Sequence, residues 1–253
     1  MPPPLILVTN DDGIDAPGIR ALEQSLAPLG RIRTAAPLAE QSASSRRITL
    51  RRPIRYVDLG DGRYGIDGTP CDCVMMAVTL LLDQRPSLVV SGINPGPNLG
   101  ENIYYSGTVA AAAEGAKYGI PSMAVSVDAR RDIDYGAAAR IAAAIVSRTL
   151  AGGLAPGVAL NVNVPAGRIA GVAVTRQCGK ISRNLMVETR DPWNRAYYWM
   201  HEDVPLWEAE EGSDYAAVRE GRVSVTPLRF EMTAEAELDG LRREFRDFDP
   251  NGC

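Results

Sequence analysis

The chain has 253 residues, a length that suits one large domain or one domain with an extension. At 45% hydrophobic and 23% charged residues it is neither disordered nor a coiled coil, and a formal net charge of −4 offers no field to gather a nucleic-acid polymer. A single histidine, His201, excludes a multi-histidine zinc site, and Cys71, Cys73, Cys178 and Cys253 lack zinc-binding spacing.

The N-terminus, MPPPLILVTNDDG, carries no basic segment, and no stretch approaches the roughly 20 apolar residues of a membrane span. The expectation is a cytoplasmic protein with reduced thiols and no membrane partner. The continuous apolar run Leu5 to Thr9 reads as a strand buried on both faces. From Ala16 to Leu29, Ile19, Leu22, Leu26 and Leu29 recur at helical spacing. A weaker strand follows from Arg31 to Pro37. Val74, Ala77, Val78 and Leu81 mark a helix, Ser87 to Ser91 a strand, Ser106 to Tyr118 a helix and Met123 to Ser126 a strand. Ile141 and Ile145 lie in an Ala-rich helix, and Ala159 to Val164 is another strand. This alternation predicts an α/β fold, Rossmann-like, with a mostly parallel sheet and helices on both faces.

After about residue 176 the pattern changes. Trp193, Tyr197, Tyr198, Trp199 and Trp207 cluster there, with mixed charges around them. We divide the chain into a core, residues 1–175, and an extension, residues 176–253. The extension is expected to form hairpins, which serve either as a subunit contact or as a small satellite core.

Three polar segments follow predicted strands, where open α/β sheets bind ligands. In the first, Asp11 and Asp12 are adjacent, and like charges this close raise a pKa unless a cation neutralises them. The pair reads either as a divalent-cation site or as a turn in which Asp12 caps the next helix. In the second, Asn94 and Asn98 offer amide oxygens, hard donors that magnesium and manganese accept, although Asn and Pro also build turns. In the third, Ser106, Gly107 and Thr108 open a helix, either as a plain cap or as a cradle for phosphate. Together, carboxylates, an amide and a phosphate cradle suit metal-assisted hydrolysis of a phosphate ester by a metal-bound water.

Four motifs in this order resemble the stationary-phase survival protein SurE family. They are VTNDDGIDAPGI from Val8 to Ile19, GTPCDCV from Gly68 to Val74, SGINPGPNLG from Ser91 to Gly100, and YSGTVAAAAEG from Tyr105 to Gly115. The resemblance runs from about residue 5 to Pro227. It implies a nucleotidase that releases phosphate from nucleoside 5′- and 3′-monophosphates, with short polyphosphate as a further substrate. It further implies one Mg2+ or Mn2+ per subunit, held by Asp11, Asp12, Asn94 and Ser42, the first of three serines in the loop after Pro37. Phosphate contacts carry over onto Asn98, Ser106, Gly107 and Thr108. The Rossmann-like core would then pair through the C-terminal extension into a homodimer or homotetramer.

Other functions fit less well. A dinucleotide-dependent oxidoreductase needs Gly-x-Gly-x-x-Gly after the first strand, where this chain has Asn10-Asp11-Asp12-Gly13. An aspartyl-nucleophile phosphatase presents Asp-x-Asp rather than an adjacent pair. A non-catalytic nucleotide-binding regulatory protein is the alternative, distinguished by binding without phosphate release. His201, among aromatics, reads as a surface or interface residue rather than a general acid. The segment Asp67 to Asp72 reads as a turn into a helix, with Thr69 as N-cap and Pro70 at the first helical position.

Overall fold

The computed structural model describes residues 3–179, 183–203, 210–246 and 248. Strand β1, Leu5–Thr9, is buried along its whole length. Around it form β2 (Arg31–Pro37), β3 (Tyr56–Asp58), β4 (Arg63–Ile66), β5 (Leu88–Pro95), β6 (Ser122–Asp128) and β7 (Val158–Pro165). The chain later adds β8 (Gly171–Val174) and β11 (Arg222–Arg229). These make one nine-stranded sheet in the order β3-β4-β2-β1-β5-β6-β7-β11-β8. From β4 to β7 neighbouring strands run parallel, whereas β3 and β11 pair antiparallel at their joints with β4 and β7. The mostly parallel α/β sheet expected from the alternation is therefore present. Strand order reverses at β1, which lies between β2 and β5, and the crevice at such a reversal is where ligands bind.

Helices cover both faces. On one, α1 (Pro17–Leu26) buries Ile19, Leu22 and Leu26 beside α4 (Tyr135–Gly152), over Ile6, Val8, Val90 and Val125 of the sheet. On the other, α2 (Pro70–Met76) and α3 (Gly107–Lys117) cover Leu7, Val89 and Ala124. Helix α2 starts as its sequence suggests. The Thr69 hydroxyl accepts a hydrogen bond from the N–H of Asp72, the Asp72 carboxylate accepts one from the Thr69 N–H, and Pro70 follows the cap. Cys71 and Cys73 pack inside as free thiols.

Small residues set how close the helices lie. A Cβ on Gly115 of α3 would sit 2.5 Å from Ser122 Oγ and 2.8 Å from Val89 Cγ2. A Cβ on Gly18 of α1 would sit 2.2 Å from the backbone oxygen of Ile93, next to Asn94.

The extension does not stay apart from the core. Strand β11 lies within the sheet, in register from Ser224 opposite Asn163 to Arg229 opposite Val158. A division at residue 175 thus cuts through the sheet. The expected hairpin does form: β9 (Arg183–Arg190) and β10 (Ala196–Asp203) pair antiparallel as a separate two-stranded ribbon. Trp193 and Trp199 on it are 75% and 63% exposed, which is not the burial a satellite core requires. Trp207 lies outside the described residues, as does the side chain of His201. Two short helices, α5 (Asp214–Arg219) and α6 (Glu235–Glu244), complete the chain.

Gly18→Ala is predicted to destabilise the protein by about 1–3 kcal/mol or more, because the clash is with backbone rather than a movable side chain. Urea denaturation should show a lower midpoint at unchanged slope. An unchanged midpoint would mean that α1 does not need this approach.

Candidate active site

The site forms where β1 ends. Asn10 accepts from the N–H of Gly13 at 3.2 Å and donates to the Gly13 oxygen at 2.8 Å, closing a tight turn. Gly13 has φ +108°, a conformation that disfavours any side chain. The N–H of Gln41 donates to the Asp11 oxygen at 2.7 Å, and that of Ile14 to the Pro37 oxygen at 2.8 Å. The turn is thereby fastened to the loop after β2.

Both carboxylates are enclosed. Asp11 is 5% exposed and accepts a short hydrogen bond from the Thr108 hydroxyl. Burial raises its pKa above the ordinary value, with hydrogen bonds from the Thr108 side chain and backbone acting in opposition. Helix α1 is capped at Ala16 with no side-chain bond, so Asp12 is not its cap. Asp12 Oδ2 is instead buried with no hydrogen-bond partner among the described residues. Burial, then the charges of Asp11 and Glu40, push the Asp12 carboxyl up to about 7. A buried, unpaired carboxylate oxygen beside a second carboxylate is the environment that a divalent cation relieves.

Neutral oxygen donors come from neighbouring segments. Thr9 of β1 pairs with Ser91 of β5, and Asn94 lies three residues past Ser91 as Asp12 lies three past Thr9. Asn94 and Asp12 therefore reach the same end of the sheet. The Asn94 amide nitrogen donates to the Gly96 oxygen at 2.6 Å, leaving its side-chain oxygen as an acceptor. Ser42 follows Gln41, the residue tied to Asp11, but its hydroxyl is exposed and turned to Glu40 at 2.5 Å. Ser44 faces the start of α3 beside Asp11. Its Oγ is buried without a partner among the described residues, and it would touch a Cβ on Gly107 at 2.8 Å.

The third segment is the start of α3. Ser106 caps it, accepting from the Val109 N–H at 3.1 Å. A Cβ on Gly107 would lie 2.8 Å from Asp11 Cβ and 2.9 Å from Asp11 Oδ2, so only glycine lets this helix end meet the carboxylate. Thr108 holds Asp11 through its hydroxyl and backbone, and so acts on the carboxylate. Asn98 is likewise largely committed to the scaffold. Its side chain donates to Ser126 Oγ at 2.8 Å, its N–H to Asn163 Oδ1 at 2.8 Å, and its carbonyl accepts from Asn161 at 2.7 Å. The structure thus gathers Asp11, Asp12, Asn94, Ser106, Gly107 and Thr108 at one end of the sheet. Glu40 and the brace Asn10 go unread in the sequence. Ser44 is one of three loop serines, and only the fold tells them apart.

Fold and site together define an open α/β protein with an oxygen-lined acidic site at its strand-order reversal. A family model described as Survival protein SurE matches residues 6–184. The 5′-nucleotidase SurE of Myxococcus xanthus is 48% identical over 249 residues, covering 94% of this chain and 92% of that one. The 5′-nucleotidase SurE 1 of Thermus thermophilus is 48% identical over 243 residues, covering 93% and 96%. The crystal structure of the SurE protein from Aquifex aeolicus superposes with a TM-score of 0.87 at 39% identity, covering 95% of this chain and 99% of that one. The chain belongs to the SurE family.

The raised Asp12 pKa has a sign that can be tested without substrate. In the metal-free protein, between the ordinary value of 3.8 and about 7, the folded state binds more protons than the unfolded one. The contribution of Asp12 to stability is therefore fully present at low pH and is lost as pH rises toward 7. Asp12→Asn, which carries no charge, is predicted to be increasingly stabilising relative to the metal-free wild type from pH 5 to pH 8. Thermal denaturation at both pH values checks this; a difference that shrinks with pH would contradict it.

Proposed function

We propose that this protein is a divalent-metal-dependent nucleotidase that releases phosphate from nucleoside 5′- and 3′-monophosphates, with short polyphosphate as a further substrate. The observation that carries the reading is the unpartnered, buried Oδ2 of Asp12 beside Asp11. Two relatives described as 5′-nucleotidases, each 48% identical over nearly the whole chain, support the choice of substrate.

The donors present are oxygens, which fits a hard cation such as Mg2+ or Mn2+, one per subunit. Asp11, Asp12, Asn94 and a serine of the loop after β2 would hold it, Ser42 by resemblance or Ser44, whose Oγ is buried without a partner among the described residues. Bound there, the cation would polarise the phosphoryl group and make water acidic enough to attack it. The chain's own part is positioning. Thr108 fixes the Asp11 carboxylate, and the Asn10 turn fixes Asp12 beside it. The Ser106 cap takes up the Val109 N–H, and the Gly107 N–H at the positive end of α3 would meet a phosphate oxygen. Ser106 and Asn98 would line the same anion site.

The β9–β10 ribbon, with Trp193 and Trp199 exposed, is the surface on which a second copy would pair to give a homodimer or homotetramer. The free thiols of Cys71, Cys73 and Cys178 fit the cytoplasm. Among the described residues no helix is long and apolar enough to cross a membrane.

Phosphate release from 5′- and 3′-nucleotides should stop with chelator and return with Mn2+ or Mg2+. Asp11→Asn and Asp12→Asn should each lose at least about a hundredfold in kcat, on the scale of removing a preorganised electrostatic group. Calorimetry should show that both substitutions weaken Mn2+ binding. Undiminished turnover in chelator would overturn the metal assignment. Nucleotide binding with no phosphate release under any metal would favour the regulatory alternative.

A further inference from the structure

Asp214 is a carboxylate that the acidic site itself does not use. It is fully buried at the start of α5, and its two oxygens serve different parts of the chain. Oδ1 accepts from the N–H of Cys178 at 2.9 Å and from that of Tyr215 at 2.8 Å. Oδ2 accepts from the N–H of Gly100 at 3.0 Å, 114 residues away in sequence.

Each contact has a place in the architecture. Cys178 precedes the β9–β10 ribbon and Asp214 follows it, so Oδ1 closes the base of the ribbon. The Arg176 N–H, donating to the Gly212 oxygen at 3.1 Å, and the Asp214 N–H, donating to the Arg176 oxygen at 2.9 Å, close the same base. Gly100 lies between Asn98 and Ser106, and with φ +50° it turns the loop into a short 3-10 helix, Gly100–Tyr104. Its carbonyl is held as well, by the Gln177 side-chain N–H at 2.8 Å. Both backbone groups of this one residue are therefore bound by the extension. Leu99, next to it, packs with Cys178 and Val218.

From Gly100 the linkage runs to the site. The 3-10 helix leads through Tyr105 to Ser106, the cap of α3. On the way it takes hold of the loop after β2: the Ser45 hydroxyl donates to the Tyr104 oxygen at 2.7 Å, and the Ser45 N–H to the Tyr105 oxygen at 3.1 Å. Ser45 follows Ser44, whose Oγ, like Asp11, adjoins Gly107. We propose that Asp214 is a positioning residue of the active site, which through Gly100 sets the start of α3 and the serine loop against Asp11 and Asp12. Three N–H groups reach its two oxygens, and an asparagine would have to turn an NH2 group toward one of the two sides. The proposal rests on the metal-dependent nucleotidase reading above and deepens it.

Two variants test it. Asp214→Asn replaces one of the two acceptors with a donor, and Gln177→Ala removes the other hold on Gly100 without altering the carboxylate. Both should weaken calorimetric Mn2+ binding on the order of tenfold, the lower end of the cost of losing a group that orients a metal ligand. Both should raise the Mn2+ midpoint of adenosine 5′-monophosphate hydrolysis by the same factor. In metal-free protein, amide hydrogen exchange at Ser45 should accelerate in both. A merely structural role would lower the urea midpoint while Mn2+ affinity and Ser45 exchange in the folded protein stay as in wild type, and that result overturns the proposal. If Asp214→Asn does not fold, Gln177→Ala decides by the same measurements. Nucleotide hydrolysis with unchanged Mn2+ affinity in the folded variants sinks the positioning role and leaves the nucleotidase reading standing. Weakened Mn2+ binding and faster Ser45 exchange, with no nucleotide hydrolysed by the wild type, leave the positioning role standing and sink the nucleotidase reading. If the wild type binds no Mn2+, the metal reading falls, and Ser45 exchange alone decides whether Asp214 holds this loop.

Discussion

Two adjacent carboxylates held out of water at the end of β1 are the constraint around which this structure is arranged. Left alone, Asp11 and Asp12 would repel each other, and burial raises the pKa of both. The fold keeps them together by spending local structure on each. Asn10 and Gly13 close the turn, Gln41 grips the Asp11 backbone, and Thr108 binds the Asp11 side chain. Asp12 Oδ2 receives no such partner among the described residues. That asymmetry is what the proposed cation would relieve.

The same demand reaches into the packing. For Thr108 to reach Asp11, α3 must bring its first turn against the end of β1, and Gly107 supplies the room. For α3 to lie that low on the sheet, its body must be small, hence the run Ala110 to Ala113 and the contact of Gly115 with Val89 and Ser122. On the opposite face, Gly18 allows α1 to rest on Ile93, beside Asn94. The loop after β5 is pinned through Asn98 to Ser126, Asn161 and Asn163. Geometry at the site is thus paid for by glycine and alanine, residues that add little burial of their own.

Much of this was legible in the sequence, for a physical reason. Strand β1 and helices α1 and α3 have strong apolar or small-residue patterns, and their boundaries fall within a few residues of the expected ones. Thr69 and Pro70 start α2 through local chemistry alone. Strand β4 is short and interrupted by Gly65, which Leu38 approaches from another segment, so no window of sequence reveals it. Strand β11 carries Pro227 and returns to pair with β7 across more than half the extension, a contact with no local signature. The site shows the same divide. Asp11, Asp12 and Asn94 are fixed by strand ends, whereas the choice between Ser42 and Ser44 depends on how a loop with positive-φ residues at Ala43 and Ser45 is folded.

The most direct test of the central claim is anomalous diffraction from crystals soaked in Mn2+. The account predicts one strong peak per subunit within about 2.2 Å of Asp12 Oδ2, also contacting Asp11, the Asn94 oxygen and one hydroxyl of Ser42 or Ser44. Crystals that bind Mn2+ elsewhere on the protein, with no peak between Asp11 and Asp12, would contradict it.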